Sequence, residues 1–331
     1  MNIQTRDSSA ILVADVGGTF GRFSIAEAGR VVGELLTLAR DGAPSLAALC
    51  AEAIRQLGFK PAGAAIAVAG PVSQGHGILT NVGWTFSEAA LERDLALERV
   101  VLVNDFSALA LTLPDLTRAD LVTVAPHVFE AVSGRSGATS PHVRVVFGPG
   151  TGLGVAALWE CNGERILIDS EGGHAGFAPA TDLERALLLH AQERFTRVSW
   201  ERVLSGPGLQ LIDEVCRESL GTGGGALRTP RDIVEAALGS ACPAAKMAID
   251  CFSGLLASFA GDLAMTFRAS AGVYVGGGLA GRMLSLVSFP LIRERFHDKG
   301  RHAEWLDTVP LYFIRNPQAA LIGATVAFAR R

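Results

Sequence analysis

Short runs of apolar, largely β-branched residues recur along the chain and stop abruptly at glycine. Residues 11–15 form the first such run. After the turn Val16-Gly17-Gly18-Thr19, residues 20–26 alternate, with Phe20, Arg22, Ser24 and Ala26 on one side and Gly21, Phe23 and Ile25 on the other. A period of two belongs to a strand whose faces meet different surroundings, so this reads strand, tight turn, strand. The same grammar returns at 143–147, Gly148-Pro149-Gly150-Thr151-Gly152 and 153–159, with Asn162-Gly163 as the next hairpin turn. Two such hairpins predict a duplicated fold. Between them, 64–69 and 100–103 read as short buried strands, while 45–57 and 87–97 have helical spacing. Further on, helices are predicted over 182–195, 208–219, 231–238 and 243–267, then a strand at 272–275 that ends in Gly276, Gly277 and Gly278. Alternating strands and helices define an α/β protein. The glycine- and serine-rich stretches 133–140 and 221–225 are expected to be surface loops.

Composition narrows the function classes. With 331 residues, 49% hydrophobic and 19% charged, the chain can bury a large core and is neither disordered nor a disulfide minidomain. There are 29 basic and 33 acidic residues, a net charge of -4, so no global positive field attracts a polyanion and nucleic acid is not an expected partner. No apolar run reaches the ~18 residues that span a bilayer, and no membrane partner is expected. The polar start, residues 1–9, lacks the apolar stretch of a secretory signal, which gives a cytoplasmic expectation. Cys50, Cys161, Cys216, Cys242 and Cys251 are odd in number with no C-x-x-C spacing, and are expected to be reduced thiols without zinc.

The glycine junctions carry the candidate chemistry. A turn without side chains lets several backbone N–H groups converge on a phosphate. No Walker A loop is present, which sets aside a P-loop NTPase. Gly152, Gly154 and Ala157 satisfy G-x-G-x-x-A, but a strand, an Asn-Gly turn and a strand follow, with no helix to receive a pyrophosphate, so a nucleotide-dependent dehydrogenase is disfavoured. G-x-S-x-G elbows and H-E-x-x-H zinc sites are missing from the sequence. A nucleotide held by hairpin turns remains.

Six blocks in order then resemble the bacterial ATP-dependent glucokinases: Asp15-Val16-Gly17-Gly18-Thr19, Asn104-Asp105-Phe106, the glycine-rich 148–154, Glu171-Gly172-Gly173-His174, 201–208, and Tyr274-Val275-Gly276-Gly277-Gly278. The resemblance covers nearly the whole chain. It implies an α/β, two-domain actin-like (ribonuclease H-like) sugar kinase fold with an interdomain cleft, a small domain of residues 1–115 plus 315–331 and a large one of 116–314. It also implies ATP and Mg²⁺ as cofactors, D-glucose as substrate and a homodimer. Two positions depart from the pattern: Phe20 stands where asparagine is common, and Gly176 where an aspartate often follows the histidine. The zinc-binding cysteines of the related repressor and sugar kinase family are missing, which fits the glucokinase branch.

Read alone, Asp15 could cap a turn, Asp105 could be a helix N-cap, His174 a structural histidine and Glu201 a first-turn helix acid. Glu171 and His174 are spaced i, i+3, but Gly172 and Gly173 favour a loop over a helix. The resemblance implies more. Asp15 would orient Mg²⁺ through water, since that ion keeps most of its hydration shell. The turn residues Ala14, Val16, Gly17, Gly18 and Thr19, with Gly148, Gly150, Thr151 and Gly152, would hold the phosphates, and Gly277 and Gly278 would lie against the adenine. Asp105 would be the catalytic base for the sugar hydroxyl. Asn81, Asn104, Asp105, Gly150, Glu171, His174 and Glu201 would bind the sugar, with Trp84 nearby. Rivals are a kinase of another hexose or amino sugar, and a non-catalytic sugar-sensing regulator; the 14 residues before Asp15 leave no room for the DNA-reading helices of the latter.

Overall fold

Leu12, Val13, Ala14 and Val16 are fully buried in β1 (Ile11–Val16) because strands flank them on both sides. β2 (Phe20–Glu27) returns antiparallel and carries on to β3 (Arg30–Val31) and β4 (Leu36–Ala39). On the other side β1 pairs parallel with β5 (Gly63–Val68), every residue of which is buried. A small antiparallel sheet follows, of β6 (Val72–Ser73), β7 (His76–Leu79) and β8 (Trp84–Ser87). β9 (Arg99–Asn104) then joins β5 in parallel, so the main sheet has the order β3-β2-β1-β5-β9 with β4 also on β2. The computed structural model describes residues 10–79, 82–124, 140–239 and 242–330. These divide into a first unit, up to Leu116 and again from Asn316, and a second, Thr117–Arg315.

Helices cover the first sheet. α1 (Leu46–Leu57) is capped by Ser45, whose hydroxyl accepts from Ala48 N, and ends in the left-handed Gly58. α2 (Glu88–Leu95), capped by Ser87, seals the edge strand β9: Glu92 Oε1 accepts from Val100 N and Glu88 Oε1 from Leu102 N, both at 2.9 Å. α3 (Asp105–Thr112) leaves β9 directly. It packs against the helix Ala319–Arg330, where Thr112 Oγ1 donates to Ala319 O at 2.7 Å. Gly323 lies against the Ala108 carbonyl with no space for a Cβ.

The second unit repeats the topology. β10 (Leu121–Thr123) lies at one edge, β11 (His142–Pro149) and β12 (Leu153–Cys161) form the hairpin, and β13 (Glu164–Ser170) continues it. β14 (Val273–Val275) and β15 (Leu311–Ile314) add in parallel to β11, giving β10-β15-β14-β11-β12-β13. The core order β2-β1-β5-β9 is thus matched by β12-β11-β14-β15, which is the duplication expected. Asn162 and Gly163, at φ 50° and 81°, make the left-handed turn that the Asn-Gly pair requires.

Around this sheet pack α4 (Asp182–Gln192), α5 (Trp200–Val203), α6 (Gly206–Ser219), α7 (Pro230–Leu238), α8 (Pro243–Phe267), α9 (Gly278–Met283) and α10 (Phe289–His297). The segment 221–225 has no regular structure, whereas most of the predicted 133–140 loop lies outside the described residues. All five cysteines are free thiols. α8 is long and apolar enough, by length and composition, to cross a bilayer. Its alanines and glycines keep the whole segment apolar although Lys246, Asp250 and Asp262 interrupt every run, and most of its apolar stretch is buried inside the second unit.

Candidate active site

In the first unit, the parallel strands β1, β5 and β9 end together. Val16, Val68 and Asn104 lie in one row across the sheet, so Asp15 and Asp105 stand at the same carboxyl edge about two strand spacings, roughly 10 Å, apart. Asn104, not Asp105, caps α3: its Oδ1 accepts from Phe106 N at 3.0 Å and Ser107 N at 3.2 Å. Its Nδ2 donates to Gly70 O at 3.1 Å. The capping reading of Asp105 is therefore corrected, because the chain turns into the helix one residue earlier. Freed of that task, Asp105 is the first helical residue, its Oδ1 accepting from Phe106 N at 3.1 Å, with its own backbone N–H and the Asn104 amide as further donors.

Both carboxylates are disfavoured as anions. Burial of Asp105, reinforced by the charge of Asp15, pushes its pKa up to about 7. Burial also raises Asp15, and Arg22 partly offsets this through a 3.1 Å ion pair. The hairpin register sets Arg22 directly opposite Asp15, a partner that the β-hairpin pattern itself makes legible. A buried carboxylate whose charge is incompletely balanced suits a hydrated divalent cation.

The turn after β1 is open to an anion. Gly17 N donates to Phe20 O at 3.0 Å, while among the described residues the N–H groups of Gly18 and Thr19 have no hydrogen-bond partner. Ala14 and Val16 are buried in the strand itself and can offer the turn only backbone support. Trp84 lies in β8 with the Arg40 guanidinium 5.8 Å from its ring centroid. Asn81 lies outside the described residues.

In the second unit, the turn after β11 has the same character. Gly150 N donates to Gly152 O, and Gly150 O accepts from Gly206 N at the start of α6, both at 2.8 Å. Thr151 is exposed in the turn. Gly148 lies against the Gly276 carbonyl so closely that a side chain is excluded. Gly277, at φ 88°, requires the left-handed region open to glycine and leads into α9 at Gly278.

Glu171, Gly172, Gly173 and His174 form a single 3₁₀ turn, neither the α-helix that the glycines oppose nor an open loop. Trp200 N donates to Ala175 O at 2.9 Å and Phe177 N to Val198 O at 3.1 Å, which brings this turn beside α5. Arg197 Nη1 secures the His174 carbonyl at 2.8 Å. Trp200 is wedged against Phe177 and Phe259, with ring centroids 5.2 and 5.1 Å away, and so fixes its neighbour Glu201.

Three side chains therefore converge. His174 Nε2 is 3.7 Å from Glu171 Oε2, and His174 Nδ1 is 3.9 Å from Glu201 Oε1. Glu201 Oε2 accepts from Leu153 N at 2.9 Å, and a Cβ on Gly152 would stand 2.5 Å from that oxygen. Glu201 thus links the glycine turn to the polar cluster. No local spacing marks that link, since 48 residues separate Glu201 from Leu153.

Twin sheets of this topology, glycine turns at the ends of their first strands and an aspartate following a parallel strand define a sugar kinase of the actin-like class. The chain belongs to the glucokinase family: the family model Glucokinase matches residues 12–331. It is 37% identical over 320 residues to a glucokinase of Chromobacterium violaceum, covering 96% of this chain and 89% of the relative. Among solved structures, a glucokinase from an Antarctic psychrotroph superposes with TM-score 0.82 at 30% identity, covering 98% of this chain and all of the other. A Balamuthia mandrillaris glucokinase solved with glucose gives TM-score 0.80 at 22% identity, covering 99% and 95%, a likeness of fold.

Proposed function

We propose that the protein transfers the γ-phosphoryl group of ATP to the 6-hydroxyl of D-glucose, yielding glucose 6-phosphate and ADP. The observation that carries this reading is Asp105, a half-buried carboxylate at the edge of the sheet whose pKa is pushed up to about 7. A base with that pKa is poised to take a proton near neutrality, where an ordinary carboxylate is too weak.

Asp105 accepts the hydroxyl proton while the sugar oxygen attacks phosphorus and the bond to the bridging oxygen of ADP breaks. The free amides of Gly18 and Thr19, and the turn Gly148–Gly150–Thr151–Gly152, hold phosphate oxygens. Gly277 and Gly278 present backbone to the adenine. Glu171, His174 and Glu201 pair with sugar hydroxyls, and the Asn104 amide adjoins the base Asp105. Asp15 would hold Mg²⁺ through water, and that ion when bound supplies charge neutralisation at the phosphates. A homodimeric, cytoplasmic enzyme completes the proposal; light scattering tests the first point.

The test is an ADP-release assay across glucose, fructose, mannose, galactose and glucosamine. Glucose-dependent release that falls by ~10² or more in Asp105→Asn is expected. Near-normal turnover in that variant rejects Asp105 as the base, and preference for another sugar rejects glucose.

A further inference from the structure

The turn Gly17–Thr19 has few polar side chains of its own. Phe20, which closes it, is 53% exposed and apolar, so beyond the Thr19 hydroxyl the turn offers an anion only backbone. One cation lies behind it. Arg40 follows β4, which pairs with β2 through Phe20 and Ala39. Its Nε donates to Gly18 O at 2.5 Å, and its backbone N donates to Thr19 O at 3.0 Å. Two successive carbonyls of the turn are therefore held by one residue. The guanidinium is mostly covered, with 17% side-chain exposure, and lies 5.8 Å from the centroid of the Trp84 ring. Its Nη2 reaches Asp41 Oδ1 at 3.1 Å, but Asp41 is 82% exposed, so that pair is screened by water and does little to neutralise the charge.

We propose that Arg40 is a positioning residue for the polyphosphate of the nucleotide, acting through the Gly18–Thr19 peptide. An amide whose carbonyl accepts from a cation is polarised, and its N–H becomes a stronger donor. Here that N–H belongs to Thr19, and among the described residues it has no hydrogen-bond partner. Fixing both carbonyls on the far side also sets the direction of the N–H groups, so the turn is oriented before the anion arrives. Trp84 has a part in this: its ring face backs the guanidinium, which gives the tryptophan a task at the phosphate turn.

The inference rests on the reading of this turn as a phosphate site, and the experiment separates the two. Binding of ATP, ADP, tripolyphosphate and adenosine is measured by calorimetry on the wild type, Arg40→Gln, Arg40→Lys and Trp84→Leu, with KM for ATP and for glucose beside it. Arg40→Gln should weaken ATP and tripolyphosphate about tenfold, leave adenosine and the KM for glucose within twofold, and keep the thermal midpoint within about 2 °C. Arg40→Lys should recover part of the loss, because a lysine restores charge without the planar Nε–H fork. Trp84→Leu should weaken ATP by a smaller factor. Unchanged ATP affinity in Arg40→Gln, or an equal loss for adenosine, overturns the inference. A wild type that binds neither ATP nor tripolyphosphate overturns instead the reading on which it rests.

Discussion

Asp105 is a carboxylate kept in surroundings that favour its neutral form, and both its activity and its cost follow from that. If Asp105 is the base, as proposed, it must be ionised, so kcat/KM should fall about tenfold per pH unit below about 7 and level off above. A profile flat from pH 6 to 8 would exclude it as the titrating base. The folded pKa lies above the unfolded value of about 3.8, so the native state holds the proton more tightly. Stability from this group is greatest at low pH and is lost as pH rises through about 7. Asp105→Asn, which mimics the neutral form, should therefore raise the thermal midpoint by several degrees at pH 8, for a gain of about 1 to 3 kcal/mol. That gain should shrink at pH 5, where the native carboxyl already carries its proton. No difference between the two pH values would sink the assignment of the raised pKa.

At the scale of elements, β9 decides where Asn104 and Asp105 stand, and it is an edge strand that α2 completes with two carboxylates. Glu88→Ala or Glu92→Ala leaves a strand N–H without its acceptor and should cost about 1 to 2 kcal/mol by urea unfolding. Gln in place of Glu88 keeps an acceptor oxygen and should cost less; equal costs would mean that the side chain serves by charge and not by this bond. Neither acid was legible as a strand cap. The pairing joins residues 8 and 14 apart in sequence, and helical periodicity marks such acids only as polar positions. What the pattern did capture was the elements themselves: 143–147 lies within β11, and 243–267 coincides with α8. Cap chemistry was harder to read. Asn104 and Asp105 are both strong N-cap residues, and only the course of the backbone chooses between them.

Across the whole molecule, the duplication was visible because the same hairpin is written twice in glycines and apolar runs. The sheet order behind it was not, since β14 and β15 reach β11 from more than a hundred residues further along the chain. The turn residues were legible as a set, and their support was hidden. Arg22, Arg40, Arg197 and Gly206 each act through a partner brought close by the fold. Arg22 alone could have been found, by pairing the first hairpin on paper and noticing the opposite charges.

Glu201 touches two neighbourhoods at once, with one oxygen on Leu153 N and the other facing His174. A single rigid carboxylate shared in this way makes the two ligands thermodynamically conversant: whatever one gains by ordering it, the other inherits. Glucose should tighten ATP, and by reciprocity ATP should tighten glucose by an equal factor. Glu201→Gln should bring both factors towards one, whereas coupling unchanged in that variant would show that the message travels by another route.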